Sequence, residues 1–169
     1  MPAKEEKMLS KRMLDSLSEQ LNKEIYSGYY YLGMSDYAAS NGLKGVANWF
    51  YRQWQEELEH ARKILDYINA NRQRAMLRAI DEPPQEFSSA KDLFEKTLAH
   101  EKKVTGLINN LVELARAEND KSTEEFLQWF VKEQVEEEET PKGILDDINR
   151  AEKDGAGLKA IDNQLAERK

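Results

Sequence analysis

The sequence predicts an all-α fold: a four-helix bundle with a long connection between its second and third helices and a short fifth helix at the C-terminus. Three observations carry that reading. Four long stretches repeat apolar residues every three or four positions, the helical period. Glycine and proline are scarce, at eight and four of 169 residues. The breaks between the stretches are short, long and short in that order, which sets the connectivity of the bundle.

The first stretch, about 6–39, reads Leu14, Leu17, Leu21, Glu24, Gly28, Tyr31 along one stripe and stops at Ser40-Asn41-Gly42. Asn-Gly is turn chemistry, since both residues tolerate left-handed backbone. The second, about 43–71, reads Val46, Phe50, Gln53, Glu57, His60, Ile64, Ile68. Residues 72–88 lose the helical period and carry Pro83-Pro84. The third stretch, about 89–118, is capped by Ser88 or Ser89 and reads Phe94, Thr97, Glu101, Val104, Ile108, Leu111. Asn119-Asp120 breaks it, and Ser122 with Glu125 forms the pattern of a capping box opening the fourth, about 122–151. That stretch reads Phe126, Phe130, Gln134, Glu137, then Ile144 and Ile148, with Pro141 inside it. A helix-interior proline removes the bond to the carbonyl four residues back, here that of Glu137, and bends the helix. After Asp154-Gly155-Ala156-Gly157 comes a short helix, about 157–167, with Leu158, Ile161 and Leu165 on one side.

The whole chain, 1–169, therefore reads as one domain. Short links make each flanking pair an antiparallel hairpin. The middle link, about 17 residues, can reach ~55 Å when extended. A 28-residue helix is about 42 Å long. The link can thus climb the bundle and start the third helix beside the start of the second, bringing all four helix midpoints to one level.

At those midpoints each apolar stripe is interrupted by a glutamate: Glu24, Glu57, Glu101 and Glu137, with His60 one turn past Glu57. Four carboxylates meeting in an apolar interior repel one another strongly. Cations between them are the simplest remedy. The chain has no cysteine, so any metal must sit on oxygen and imidazole ligands, which suits iron or manganese. The net charge of −7 argues against nucleic acid as a partner and favours attraction of cations. No apolar run spans a membrane, and the opening segment MPAKEEKMLSKRMLD lacks a signal-like apolar core, so a cytoplasmic protein is expected.

Glu57 and His60, three apart, project from one helix face and with Glu24 offer one metal site. Glu101 and Glu137 offer a second, with Glu57 placed to bridge two ions about 3.5–4 Å apart. A second acidic layer, Glu56, Glu133 and Glu136, suggests a looser third site, against the plainer reading of these residues as solvent-facing. Glu138 and Glu139 read as a solvated face. Gln134 can hydrogen-bond a bound oxygen species or a ligand carboxylate. Tyr31, two turns past Glu24, is either core packing or a donor beside the metals. His100 and the three tryptophans read as structural.

At these residues the chain resembles the non-heme ferritins of bacteria and archaea. The segments that carry the likeness are NKEIYSGYYYLGM (22–34), NWFYRQWQEELEHA (48–61), HEKKVTGLI (100–108), FLQWFVKEQVEEEE (126–139) and the tail GLKAIDNQLAERK (157–169). The resemblance implies a ferritin-like bundle in which Glu24, Glu57 and His60 hold a first iron and Glu57, Glu101 and Glu137 a second. It gives Glu56, Glu133, Glu136 and Glu137 to a third iron, and places Gln134 and Tyr31 beside the centre. It further implies oxidation of Fe(II) by dioxygen or peroxide, storage of the ferric mineral in a hollow cage, and assembly of 24 subunits in which the fifth helix packs around the four-fold axes.

Ferritin-like di-iron bundles of the symmetric kind carry Glu-x-x-His on two helices. Here Thr140 stands where the second histidine would be, so the second site is all carboxylate and should release its metal more readily. Thr140 and Leu58 also depart from bacterioferritin, which makes heme unexpected. Without cysteines there is no rubredoxin-type electron donor, as a rubrerythrin-like peroxidase would need. Leu127 falls where animal ferritins place a channel carboxylate, so their iron route does not carry over. A purely structural bundle remains the non-enzymatic alternative, and it predicts that leucine at each glutamate position stabilises without loss of function.

Overall fold

A computed structural model describes residues 8–169. It contains α1 (Lys11–Ser40), α2 (Lys44–Ala70), α3 (Ala90–Ala117), α4 (Lys121–Asp154) and α5 (Lys159–Leu165), and no strand among the described residues. The expected start of the first helix near Glu6 lies outside the described residues.

Local chemistry sets the helix ends. Ser10 caps α1 by accepting from the Met13 N–H at 3.0 Å. The α1–α2 turn uses the left-handed backbone of Gly42 (φ 75°), as the Asn-Gly pair foretold. Ser89, one of the two expected caps, accepts from Asp92 N–H at 3.1 Å. The start of α4 differs from expectation. Asp120 is the cap, accepting from the Thr123 N–H and hydroxyl at 3.2 and 2.6 Å, so Ser122 already lies inside the first turn and no Ser122–Glu125 box forms. A charged, two-oxygen acceptor simply reached the free N–H groups first. The helix then runs through Pro141, which is buried, and ends three residues later than expected at the left-handed Gly155.

The long link is bound to α1 as it climbs. Gln73 exchanges hydrogen bonds with the backbone of Leu9, Met76 with the side chains of Ser18 and Asn22, and Arg78 N–H donates to Asn22. Phe87 ends the climb against Tyr30 and Tyr37. The third helix therefore begins beside the beginning of the second, where Phe94 packs on Trp49 and Phe50 with ring centres 5.1 Å apart.

Side-chain pairs fix the remaining register. Tyr67 stacks on Phe126 at 3.9 Å and Gln53 meets Glu137, so α2 and α4 are antiparallel neighbours. Ser10 meets Glu118 and Ser27 meets His100, so α1 and α3 are too. The apolar interior falls into two clusters. One gathers Met13, Leu17, Leu21, Ile64, Ile68, Ile108, Leu111, Leu127 and Phe130. The other gathers Tyr31, Met34, Trp49, Phe50, Leu93, Phe94, Ile148 and Leu165. Each fully buried side chain of this size stabilises by about 1.5–3 kcal/mol. Between the clusters lies a polar layer, and the bundle is held shut from both sides of it.

Candidate metal centre

The polar layer contains the four stripe glutamates and His60, all buried: Glu24, Glu57, His60, Glu101 and Glu137 are 1–6% exposed. Three sets of ligand atoms fall within 4.8 Å of one another: Glu24–Glu57–His60, Glu57–Glu101–Glu137 and His60–Glu133–Glu137. The first two match the sets expected from helix spacing and share Glu57. The third was not foreseen, because it joins a histidine of α2 to α4 and depends on how those helices are rotated.

Close helix approach makes this possible. A Cβ at Gly28 of α1 would lie 3.3 Å from the Cβ of Glu57 and 3.2 Å from Trp54. The glycine in the stripe thus lets the acidic face of α2 come against α1.

Neutral donors surround the acids. Gln20 donates to Glu24 at 2.8 Å. The Tyr31 hydroxyl donates to Glu101, and Gln134 donates to the same carboxylate at 3.2 Å and to the Thr105 hydroxyl at 3.2 Å. Gln53 donates to Glu137. His60 Nδ1 lies 3.3 Å from Glu57 and 3.9 Å from Glu24, while Nε2 faces Glu133 and Glu137 at 3.8 and 3.9 Å. The imidazole stands edge-on to Trp129 and Phe130, which hold its plane.

The electrostatics record the strain of crowding. Burial, then the charges of Glu101, Glu24 and Glu137, push the Glu57 carboxyl well above its ordinary range. Burial, then Glu101 and Glu56, does the same to Glu137. Glu101 is raised to about 7 by burial, opposed by the donors Tyr31 and Gln134. Burial and the neighbouring Glu101 raise the Tyr31 phenol well above its usual value, so it stays a proton donor. Two ionised carboxylates about 5 Å apart repel by on the order of 3 kcal/mol at an effective dielectric of 20. Divalent cations remove that repulsion and displace the protons.

The other expected residues are placed less uniformly. Glu133 is partly exposed and joins His60 and Glu137. Glu56 is paired with Arg168 at 2.7 Å and belongs to none of the ligand sets. Glu136 is exposed on α4 and belongs to none either. Glu138 is partly buried and accepts from Thr105 at 3.0 Å, where a fully solvated face was expected. His100 is structural: it bonds Ser27 at 2.8 Å and packs against Tyr26, Tyr30 and Tyr31. Burial, with Lys103 and Lys23, lowers its pKa to about 4, so it is neutral. Leu127 is fully buried in the first apolar cluster and presents nothing to the surface. Gln20, Gln53 and Arg168 were missed as site residues. Only the stripe position of Gln53 offered any signal in the sequence.

A four-helix bundle with a climbing crossover and carboxylate-rich candidate ligand sets at its middle defines the ferritin-like class of fold. Comparison with known proteins agrees with that class. The ferritin family, described as a ferritin-like domain, matches residues 14–151. The chain is 41% identical over 161 residues to a bacterial non-heme ferritin of Bacteroides fragilis, covering 95% of this chain and all of that one. It is 40% identical over 158 residues to one from Campylobacter jejuni, covering 94% and 95%. Among solved structures it is similar to an open pore ferritin from the archaeon Archaeoglobus fulgidus, with TM-score 0.92 and 43% identity over 95% of this chain and 99% of that one. This chain belongs to the ferritin family, and its Bacteroides fragilis and Campylobacter jejuni relatives are non-heme ferritins.

Proposed function

We propose that the protein stores iron and oxidises it: Fe(II) is bound in pairs at Glu24, Glu57, His60, Glu101 and Glu137, oxidised by dioxygen or peroxide, and laid down as ferric mineral inside a hollow shell. The observation that carries this reading is Glu57, buried between two ligand sets and a member of both. A shared carboxylate holds two metal ions close enough to give up electrons together. Two Fe(II) supply the two electrons that reduce dioxygen to hydrogen peroxide, or peroxide to water. All-oxygen and imidazole ligands favour the harder Fe(III) product over Fe(II), which draws the oxidation forward.

The protein's own residues do the rest. The raised carboxyls of Glu57, Glu101 and Glu137 give up protons as metal binds, and Tyr31 and Gln134 orient Glu101. Glu133, and the more peripheral Glu56 and Glu136, would take a third iron on its way from the pair. We assign the chain to a closed homo-oligomeric shell of 24 subunits, on the strength of its full-length likeness to ferritins and its fifth helix. No heme and no nucleic acid enter this scheme.

The test is direct. Metal-stripped protein mixed with Fe(II) in air should gain ferric absorbance far faster than buffer, and the double variant Glu57→Ala, His60→Ala should lose the fast phase. Equal rates for parent and variant would reject the catalytic assignment.

A further inference from the structure

The C-terminal turn reaches back over α2 to the rim of the acidic layer. It can do so because Gly45 leaves the α2 backbone bare: a Cβ there would lie 1.6 Å from the Asp162 carbonyl oxygen. Asp162 accepts from the Val46 N–H at 2.8 Å, and the Asn48 amide donates to the carbonyls of Leu165 and Arg168 at 3.2 and 2.9 Å. With the backbone so held, the Arg168 guanidinium lies 4.7 Å over the Trp49 ring. It donates to the Trp49 carbonyl at 3.1 Å, to Gln53 Oε1 from two nitrogens at 3.1 Å each, and to Glu56 Oε2 at 2.7 Å.

Two things follow from that fork. A guanidinium only donates, so it takes the oxygen of the Gln53 amide and turns the NH2 end inward. That end donates to Glu137 and lies 3.5 Å from Glu57. Arg168 thereby orients an amide that touches both halves of the metal centre. Glu56, meanwhile, already has a counter-ion, and it is part of the chain.

We propose that Arg168 is a tethered cation that holds Glu56, so that any divalent ion taking Glu56 as a ligand competes with the C-terminal tail for that carboxylate. This rests on the di-iron reading above. An ion arriving there exchanges a single positive charge for a double one. The freed arginine then releases Gln53, which loosens the donor on Glu137. The tail thus opposes metal at the outer acids while bracing the inner pair, making Arg168 a positioning residue.

Calorimetric titration of the metal-stripped, assembled protein with Zn(II), which has no redox chemistry, tests this at neutral pH. Two inner ions per subunit are expected in both forms, held less tightly in Arg168→Gln because Gln53 is no longer oriented, with a third bound about fivefold more tightly in the variant, the scale of a partly exposed ion pair. Arg168→Lys, which keeps the charge, should restore weak third-ion binding. In the parent, the third equivalent should also change tryptophan fluorescence as the guanidinium leaves Trp49, and Trp49→Phe should remove that signal. Third-ion affinity unchanged by Arg168→Gln, or no fluorescence step in the parent at the third equivalent, would overturn the proposal. Absence of the two inner ions in every form would instead overturn the di-iron reading itself. If Arg168→Gln does not assemble, the fluorescence step in the parent still decides.

Discussion

The two ligand sets sharing Glu57 carry the same kind of acid but relieve it differently. On the side of Glu24, Glu57 and His60, an imidazole nitrogen sits 3.3 Å from one carboxylate and 3.9 Å from another. The set Glu57, Glu101 and Glu137 has no imidazole of its own, and His60 Nε2 reaches only its edge, 3.9 Å from Glu137. Its acids lean on neutral donors, Tyr31, Gln134 and Gln53, and on protonation. A neutral donor softens a buried charge without cancelling it. The all-carboxylate side should therefore be the one that exchanges protons for metal and lets metal go. That is the asymmetry a storage protein needs if iron is to pass through the centre.

The shared residue gives the largest effect. Glu57→Leu should lower affinity for both ions by at least roughly 100-fold, beyond the 10–100-fold typical of losing a residue that merely supports a ligand. The same change should stabilise the metal-free fold by about 1–4 kcal/mol, because a buried, repelled acid gives way to an apolar side chain. Denaturant titration of stripped protein together with Zn(II) calorimetry reads both. A variant that is stabilised and still binds both ions would revive the purely structural bundle.

The pH response sharpens the contrast. Glu101, raised in the fold to about 7, and Glu57 and Glu137, both raised well above the ordinary carboxylate range, favour their neutral forms relative to the unfolded chain. Their contribution is fully present below the ordinary carboxylate range near pH 4.5 and is lost as pH rises through about 7 and above. Metal-stripped protein should thus melt at lower temperature at pH 8 than at pH 5.5, and Zn(II) at pH 8 should reverse the loss. A stripped protein that gains stability over that interval would contradict the crowding of unpaired acids.

How far all this could be read beforehand depended on whether a feature lies within one helix or between helices. The stripes interrupted by Glu24, Glu57, Glu101 and Glu137 were legible because helical period alone puts each glutamate on the buried face. Their meeting was legible because the middle link is long enough to climb the whole bundle. The cap at Asp120 was misread within a single helix: two acceptors compete for the same free N–H groups, and a Ser–Glu spacing does not say which wins. Contacts between helices stayed hidden. Tyr31 meets Glu101 across 70 residues, and Arg168 meets Gln53 across 115. Such pairs depend on helix rotation and on where the tail docks, and Gly45, which admits the tail, looks in the sequence like any helix glycine.

The smallest effect probes one neutral donor. Tyr31→Phe removes the hydroxyl that favours the ionised form of Glu101, while the ring and its packing on Phe50 and Tyr30 remain. The Glu101 carboxyl should then titrate at higher pH, because one of the two donors that oppose burial is gone. Only the second ion should feel this directly. Its affinity at pH 7 should fall about tenfold, at the low end for a supporting residue, while the first ion, which does not use Glu101, keeps its affinity. Calorimetry at pH 7 and 8.5 separates the cases: a proton-linked loss should shrink at the higher pH, where fewer protons compete with the ion at Glu101. Equal weakening of both ions, or a deficit that persists unchanged at pH 8.5, would mean that Tyr31 shapes the bundle as a whole and does not tune the all-carboxylate side.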